Sequence, residues 1–137
     1  MNHQDTKTQR TPIPAEADRA AEAVVDAALA VHSKLGPGLL ESVYEVCLAH
    51  ELEKRGRHVH RQLSLPVFYD GIRMDAGLRL DLVVDDCVVV EIKAVEQLLP
   101  VHKAQVLTYL KLTGHRLGLL VNFNTPLIKY GIKRIAL

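Results

Sequence analysis

Tryptophan is absent from this chain of 137 residues, and the other aromatics amount to four tyrosines and two phenylalanines. A protein that stacks unpaired bases needs aromatic faces interleaved with cations, so an aromatic platform for single strands is not built here. Cysteine is almost as scarce. Cys47 falls in a predicted helix and Cys87 at a strand end, without metal-ligand spacing, so neither a disulfide framework nor a thiolate metal site is expected. Both read as free thiols in a reducing, cytoplasmic setting. No apolar run approaches the roughly 18 residues that cross a bilayer, and no charged-then-apolar leader opens the chain, so no membrane partner is expected. Gly36-Pro37-Gly38 is too short for a phosphate loop and lacks its Gly-Lys-Ser/Thr ending, while Ser33, Ser42 and Ser64 have no nucleophile context. The formal net charge is only +1. A strongly basic nucleic-acid module is thereby disfavoured, although a local stripe can serve an enzyme that must release a polyanion.

What is present is a change of pattern after a polar start. Residues 1–16 carry two closely spaced prolines and little apolar periodicity and read as a disordered tail. Residues 17–137 form a single domain, long enough to bury a core without staples. Ala20, Val24, Ala27 or Ala28, Val31 and Leu35 recur at three and four, which predicts a helix ending at Gly36. A second helix is predicted over about 39–55, with Leu40, Val43, Tyr44, Cys47, Leu48 and Leu52 inward. Strands follow over 57–69, where Pro66 marks an edge or irregularity, and from Ile72 after an Asp70-Gly71 turn. A central hairpin spans 78–93, a third helix 101–113, a buried strand 116–123 and a last strand 128–137. The order α-α-β-β-β-α-β-β implies an α/β (α+β) fold, a mixed sheet flanked by helices.

The informative residues lie in the central hairpin. Cys87 to Lys93 is a nearly continuous β-branched run, as expected of a strand covered on both faces, yet it carries Glu91 and Lys93, with Asp81 on the preceding arm. Unpaired charge in such an interior costs several kcal/mol or more, so three ionisable groups there call for a reason, and a divalent cation supplies one. Alternation puts Glu91 and Lys93 on one face with Val89, and Asp81 on a face with Val83, with Leu80, Leu82 and Val84 opposite. A two-residue turn at Asp85-Asp86 would set position 81 against 90. A three-residue loop, Asp85-Asp86-Cys87, or a bulge sets Asp81 against Glu91, and this register is predicted because only it lets both carboxylates meet one ion.

Four further features surround that pair. Glu41 sits in the first turn of the second helix beside its buried stripe, a position that also simply complements the helix dipole. Gln105 and Tyr109 lie one turn apart on a face continuous with Val101 and Leu112. His58 and His60 share a strand face, but a solvent-facing edge accounts for them and no zinc site is expected. Lys54, Arg55, Arg57 and Arg61, with His58, form a basic cluster suited to a solvated rim or to a nucleic-acid backbone.

Taken in order, Gly38-Leu39-Leu40-Glu41-Ser42-Val43-Tyr44, Arg79-Leu80-Asp81-Leu82, Glu91-Ile92-Lys93-Ala94-Val95 and Pro100-Val101-His102-Lys103-Ala104-Gln105 resemble the GxxExxY protein family of the PD-(D/E)XK nuclease superfamily. The likeness runs from about Ala17 to Leu137. It implies a restriction-endonuclease-like core and a nuclease that hydrolyses phosphodiester bonds in nucleic acid, DNA before RNA, with Mg²⁺ or Mn²⁺. Asp81 and Glu91 match the metal-binding acids, Lys93 the catalytic lysine, Glu41 an acid some branches add, and Gln105 and Tyr109 the Gln-x-x-x-Tyr motif of RecB-like nucleases. The Ile92 carbonyl is a further metal donor in this reading, and a homodimer would help a small core grip a duplex. One departure is that Leu80, not proline, precedes Asp81. The rival reading is a nucleic-acid-binding or regulatory module that keeps the fold without turnover.

Overall fold

The computed structural model describes residues 12–137, so most of the expected tail lies outside the described residues. Helix α1 covers Ala15–Leu35, α2 Glu41–Lys54, β1 Val59–Tyr69, β2 Ile72–Val84, β3 Val88–Lys93, α3 Pro100–Thr113, β4 Leu117–Asn122 and β5 Ile132–Ala136. The five strands form one sheet in the order β1-β2-β3-β4-β5; all neighbours are antiparallel except β3 and β4, which α3 connects in parallel. This is the mixed α+β sheet that the pattern predicted. Among the described residues no helix is long and apolar enough to cross a membrane.

Helices α1 and α2 cover one face of the sheet and α3 the other, because each strand of the middle is apolar on both sides. Val24, Ala28, Tyr44 and Leu48 pack with Leu82, Val84, Val88, Val90, Ile92 and Val121. On the far face Val106, Tyr109 and Leu110 pack with Val83, Val89 and Leu120. Burying side chains on both faces of β3 and β4 contributes about 1.5–3 kcal/mol for each large apolar residue, which is why the charged residues on these strands stand out. Gly118 on β4 lets α3 approach closely: a β-carbon there would lie 2.7 Å from Val106 Cγ1.

Several expectations require correction. Helix α1 begins at Ala15, inside the expected tail, and Leu35 is exposed instead of inward. Leu40, just before α2, and Val43 on it are exposed and Cys47 is half-buried; the interior positions are Tyr44, Glu45, Leu48, Ala49, Glu51 and Leu52. Val101 and Leu112 of α3 are exposed as well. Their periodicity is real, but the stripe is narrower than the apolar residues available to fill it. The last strand starts only at Ile132, since Ile128–Gly131 forms a 3-10 turn. Gly131 is required there: any side chain would collide with the backbone carbonyl of Asn122.

The central hairpin has the predicted register. Val84 pairs with Val88, Val83 with Val89 and Leu82 with Val90, leaving Asp85, Asp86 and Cys87 as a three-residue loop. The ladder ends there, and the next residues, Asp81 and Glu91, meet through the Asp81 N–H, which lies 3.5 Å from Glu91 Oε1. Leu80, by contrast, does not share a face with Leu82 and Val84 but packs with Val83 and α3. Opposite this stretch Gln62 adopts a left-handed backbone (φ 53°), although the β1–β2 register is the same on either side of it, from Arg61 with Leu82 to Leu63 with Leu80. The register shifts only between Leu65 and Val67, around Pro66, the irregularity expected of that proline.

Candidate active site

The site lies where β2 and β3 stop pairing. Asp81 Oδ2 accepts a hydrogen bond from the Ile92 backbone N–H at 2.8 Å, which fixes its carboxylate across the strand pair. The Asp81 N–H lies a long 3.5 Å from Glu91 Oε1. Lys93, two residues along β3, brings its ammonium to 3.7 Å from Glu91 Oε2, with both side chains largely shielded from solvent. Two carboxylates and one ammonium thus share a small, poorly solvated volume. Burial, and then the charge of Asp81, push Glu91 up to about 8. Asp81 is also raised, first by burial and further by Glu45, against the Ile92 N–H and Lys93, which favour its charged form. Like charges held together in low dielectric repel, and protonation of one is the response when no cation is bound.

From α3, Tyr109 reaches the same volume. It is buried, its hydroxyl accepts a hydrogen bond from Gln105 Nε2 at 2.9 Å, and burial followed by the nearby Glu91 pushes its pKa up. Gln105, Lys93, His102 and Thr108 line a groove of about 440 Å³ between β3 and α3. Tyr109 is thus within electrostatic reach of Glu91 and Asp81, and Gln105 is its hydrogen-bond partner.

Glu41 arrives from the other side. Its Oε2 lies 3.4 Å from the Ala94 N–H, one residue beyond Lys93, and the side chain remains exposed. The loop before it explains its position. Tyr44 Oη donates to the Gly36 carbonyl (2.6 Å) and accepts from the Leu39 N–H (3.1 Å), while its ring stacks on Phe123 with centroids 4.5 Å apart. Tyr44 therefore closes the Gly36–Leu39 turn and sets where α2, and Glu41 at its first position, begins.

Three residues here went unnoticed in the sequence. Glu45, one turn after Glu41, is the α2 acid whose charge acts on Asp81; it is buried and holds Arg61 at 3.1 Å and Gln62 at 2.6 Å. Gln62 spans from Glu45 toward Asp81 Oδ1, a long 3.5 Å away. The i,i+4 spacing from Glu41 was the available signal for Glu45; Gln62 left none. Asn122 is the third. Its Oδ1 accepts from the Val95 and Asn124 N–H groups, and its Nδ2 donates to the Val95 carbonyl, which pins the chain leaving Lys93 to the end of β4.

The basic cluster is dispersed among partners. Lys54 and Arg55 pair with Glu51 at the end of α2, Arg57 pairs with Asp85, and only Arg61 reaches the carboxylates, through Glu45.

A strand pair that brings an Asp beside a Glu, followed two residues on by Lys, is the geometry that a family comparison then places. A model of the PD-(D/E)XK nuclease superfamily matches residues 18–135. The chain belongs to the PD-(D/E)XK nuclease superfamily. Comparison with curated proteins and with solved structures found no match. PD-(D/E)XK nucleases use divalent metal ions and act on nucleic acid, so membership supports a nuclease at that coarse level. The narrower GxxExxY likeness rests on the motifs, and Tyr44 gives its tyrosine a structural role in this chain.

Proposed function

We propose that this PD-(D/E)XK protein is a nuclease that hydrolyses phosphodiester bonds in nucleic acid, DNA before RNA, with Mg²⁺ or Mn²⁺. The observation that supports it is the convergence of Asp81 and Glu91 on adjacent central strands with Lys93 beside them. The donors fit a hard ion: all are oxygens, two are anionic, and one ammonium leaves their charge incompletely balanced. Asp81 and Glu91 would hold the ion, with Glu41 and the Ile92 carbonyl as further donors. When bound, it supplies Lewis acidity toward water and offsets charge on the phosphoryl oxygens.

The protein's own groups divide the remaining work. The Ile92 N–H holds one oxygen of Asp81, and the other, which has only the long contact to Gln62, would take the ligand. Lys93 places a positive charge where the non-bridging oxygens of a scissile phosphate gain negative charge, and it can orient the attacking water. Tyr109, held as a phenol by its surroundings and accepting from Gln105, retains its own proton for donation to a carboxylate or phosphate oxygen. The α3 groove gives the nucleic-acid backbone a polar wall beside Lys93.

A panel of single- and double-stranded DNA and RNA substrates, incubated with Mg²⁺ or Mn²⁺, tests the reading. Cleavage is expected that a chelator abolishes and that Lys93→Ala lowers by about 100-fold or more. If the wild-type protein shows no cleavage that both changes remove, the proposal fails.

A further inference from the structure

Beyond the carboxylates, at the loop end of the central hairpin, three side chains that the nuclease chemistry leaves unused converge. His58 lies just before β1, His60 is in its first turn of extended chain, and Asp86 is the middle residue of the β2–β3 loop. His58 Nε2 is 3.1 Å from His60 Nε2, and His60 Nε2 is 3.4 Å from Asp86 Oδ1. One potential ligand atom from each of the three lies within 4.8 Å of the other two. The imidazole rings meet edge-on, at 87° with centroids 4.6 Å apart, so the nitrogens approach one another without the rings stacking.

These distances have a chemical meaning. Zinc binds imidazole nitrogen and carboxylate oxygen at about 2.0–2.2 Å, and in a tetrahedron such ligand atoms stand roughly 3.3–3.5 Å apart. Two edges of the His58, His60, Asp86 triangle, an imidazole–imidazole hydrogen bond and a histidine–carboxylate contact, are close to that spacing. Two nitrogens and one carboxylate also suit zinc, whereas Mg²⁺ and Mn²⁺ prefer the oxygen donors of the other centre. All three residues are exposed, so an ion can enter and water can complete its shell.

Neighbouring contacts hold the two ligand-bearing segments together in advance. The Asp85 carboxylate accepts from the His58 backbone N–H at 3.0 Å and from Arg57 at 2.9 Å, and the Asp85 N–H donates to the His58 carbonyl at 2.8 Å. Asp85 and Asp86 both take left-handed backbone angles, φ 53° and 54°, a conformation that Asp tolerates better than most residues. The loop is thus fastened on both sides of His58 with Asp86 carried over the histidines. Fixing a ligand through its neighbours is how metal sites are usually oriented.

We propose that His58, His60 and Asp86 form a zinc site, distinct from the all-oxygen centre at Asp81 and Glu91, that clasps the β2–β3 loop to the start of β1. The same three-residue loop sets Asp81 beside Glu91, so zinc in this position stabilises the frame of the carboxylate centre without entering it.

Calorimetric titration of zinc into the chelator-stripped full chain carrying Asp81→Asn and Glu91→Gln removes the carboxylate centre as a competitor. One equivalent is expected to bind, and adding His58→Ala, His60→Ala or Asp86→Ala should each weaken it at least tenfold, as loss of a ligand does. Saturating zinc should raise the Tm of the carboxylate-free chain by about 5–10 °C, and that rise should vanish when both histidines are replaced as well. If the carboxylate-free chain does not fold, the stoichiometry of wild type against His60→Ala decides: loss of one equivalent supports the site, and an unchanged count refutes it. Absence of zinc uptake in a folded carboxylate-free chain, or uptake indifferent to either histidine, also overturns the proposal.

Discussion

Replacing Glu91 by Gln in the metal-free protein should stabilise it while destroying its capacity to hold an ion. Glu91 is buried beside Asp81, and its pKa moves up from the ordinary 4.5 to about 8. Below pH 4.5 the carboxyl is protonated in both folded and unfolded chains, so the shift has no effect on stability. Between 4.5 and 8 the folded state holds a proton that the unfolded state has lost, and stability falls as pH rises, by up to about 1.4 kcal/mol per unit. Above 8 the penalty is complete. Integration over this single group gives a loss of about 4 kcal/mol between pH 5 and pH 9, and Asp81, raised in the same direction, adds to it. Glutamine keeps the shape without the charge, and Asp81 remains to balance Lys93. Urea denaturation in chelator at each pH should therefore find Glu91→Gln and wild type within about 1 kcal/mol at pH 5, with the variant more stable by about 4 kcal/mol at pH 9. Mn²⁺ should stabilise the wild type and leave the variant unmoved. Parallel stability curves for the two proteins would refute this account of the site.

Because Glu91 must lose its proton to bind an ion, Mn²⁺ affinity should rise about tenfold per unit as pH increases toward 8, with close to one proton released; calorimetry in buffers of different ionisation enthalpy measures both. Tyr44→Phe removes the hydroxyl that closes the Gly36–Leu39 turn and should cost about 1–3 kcal/mol by chemical denaturation, while weakening Mn²⁺ binding through the displaced Glu41. Asn122→Ala deprives the Val95 and Asn124 backbone groups of their partner; a loss of about 2–4 kcal/mol is expected, with hydrogen exchange accelerated at Val95 and Asn124.

Much of the architecture is encoded locally and was legible for that reason. The i,i+4 apolar spacing of Val24, Ala28 and Tyr44, Leu48 marks the two helices that cover one face, and the Val88–Val90 run marks a strand buried on both. Gly114, with φ 79° at the end of α3, and the Asp70-Gly71 turn supply chain reversals whose backbone demands are met by their own residue types. What misled was the choice among too many apolar residues. Leu35, Leu40, Val43, Val101 and Leu112 are all exposed, and periodicity alone cannot say which member of a wide stripe the neighbouring element will cover.

The sequence by itself determined that Asp81, Glu91 and Lys93 belong to two adjoining strands, and that a three-residue loop or a bulge is what lets the acids meet, since strand alternation keeps them apart across a two-residue turn. Only the tertiary structure decided which further groups meet them. Glu45 reaches Asp81 because α2 crosses that end of the sheet, Gln62 lies between them with a left-handed backbone, and Leu80 joins Val83 on the α3 face. Asp86 stands beside His58 and His60 because Asp85 ties the loop to the start of β1. Each of these contacts joins residues distant in the chain, and each depends on an angle or crossing set by the packing of the whole domain, which residue type and spacing do not carry.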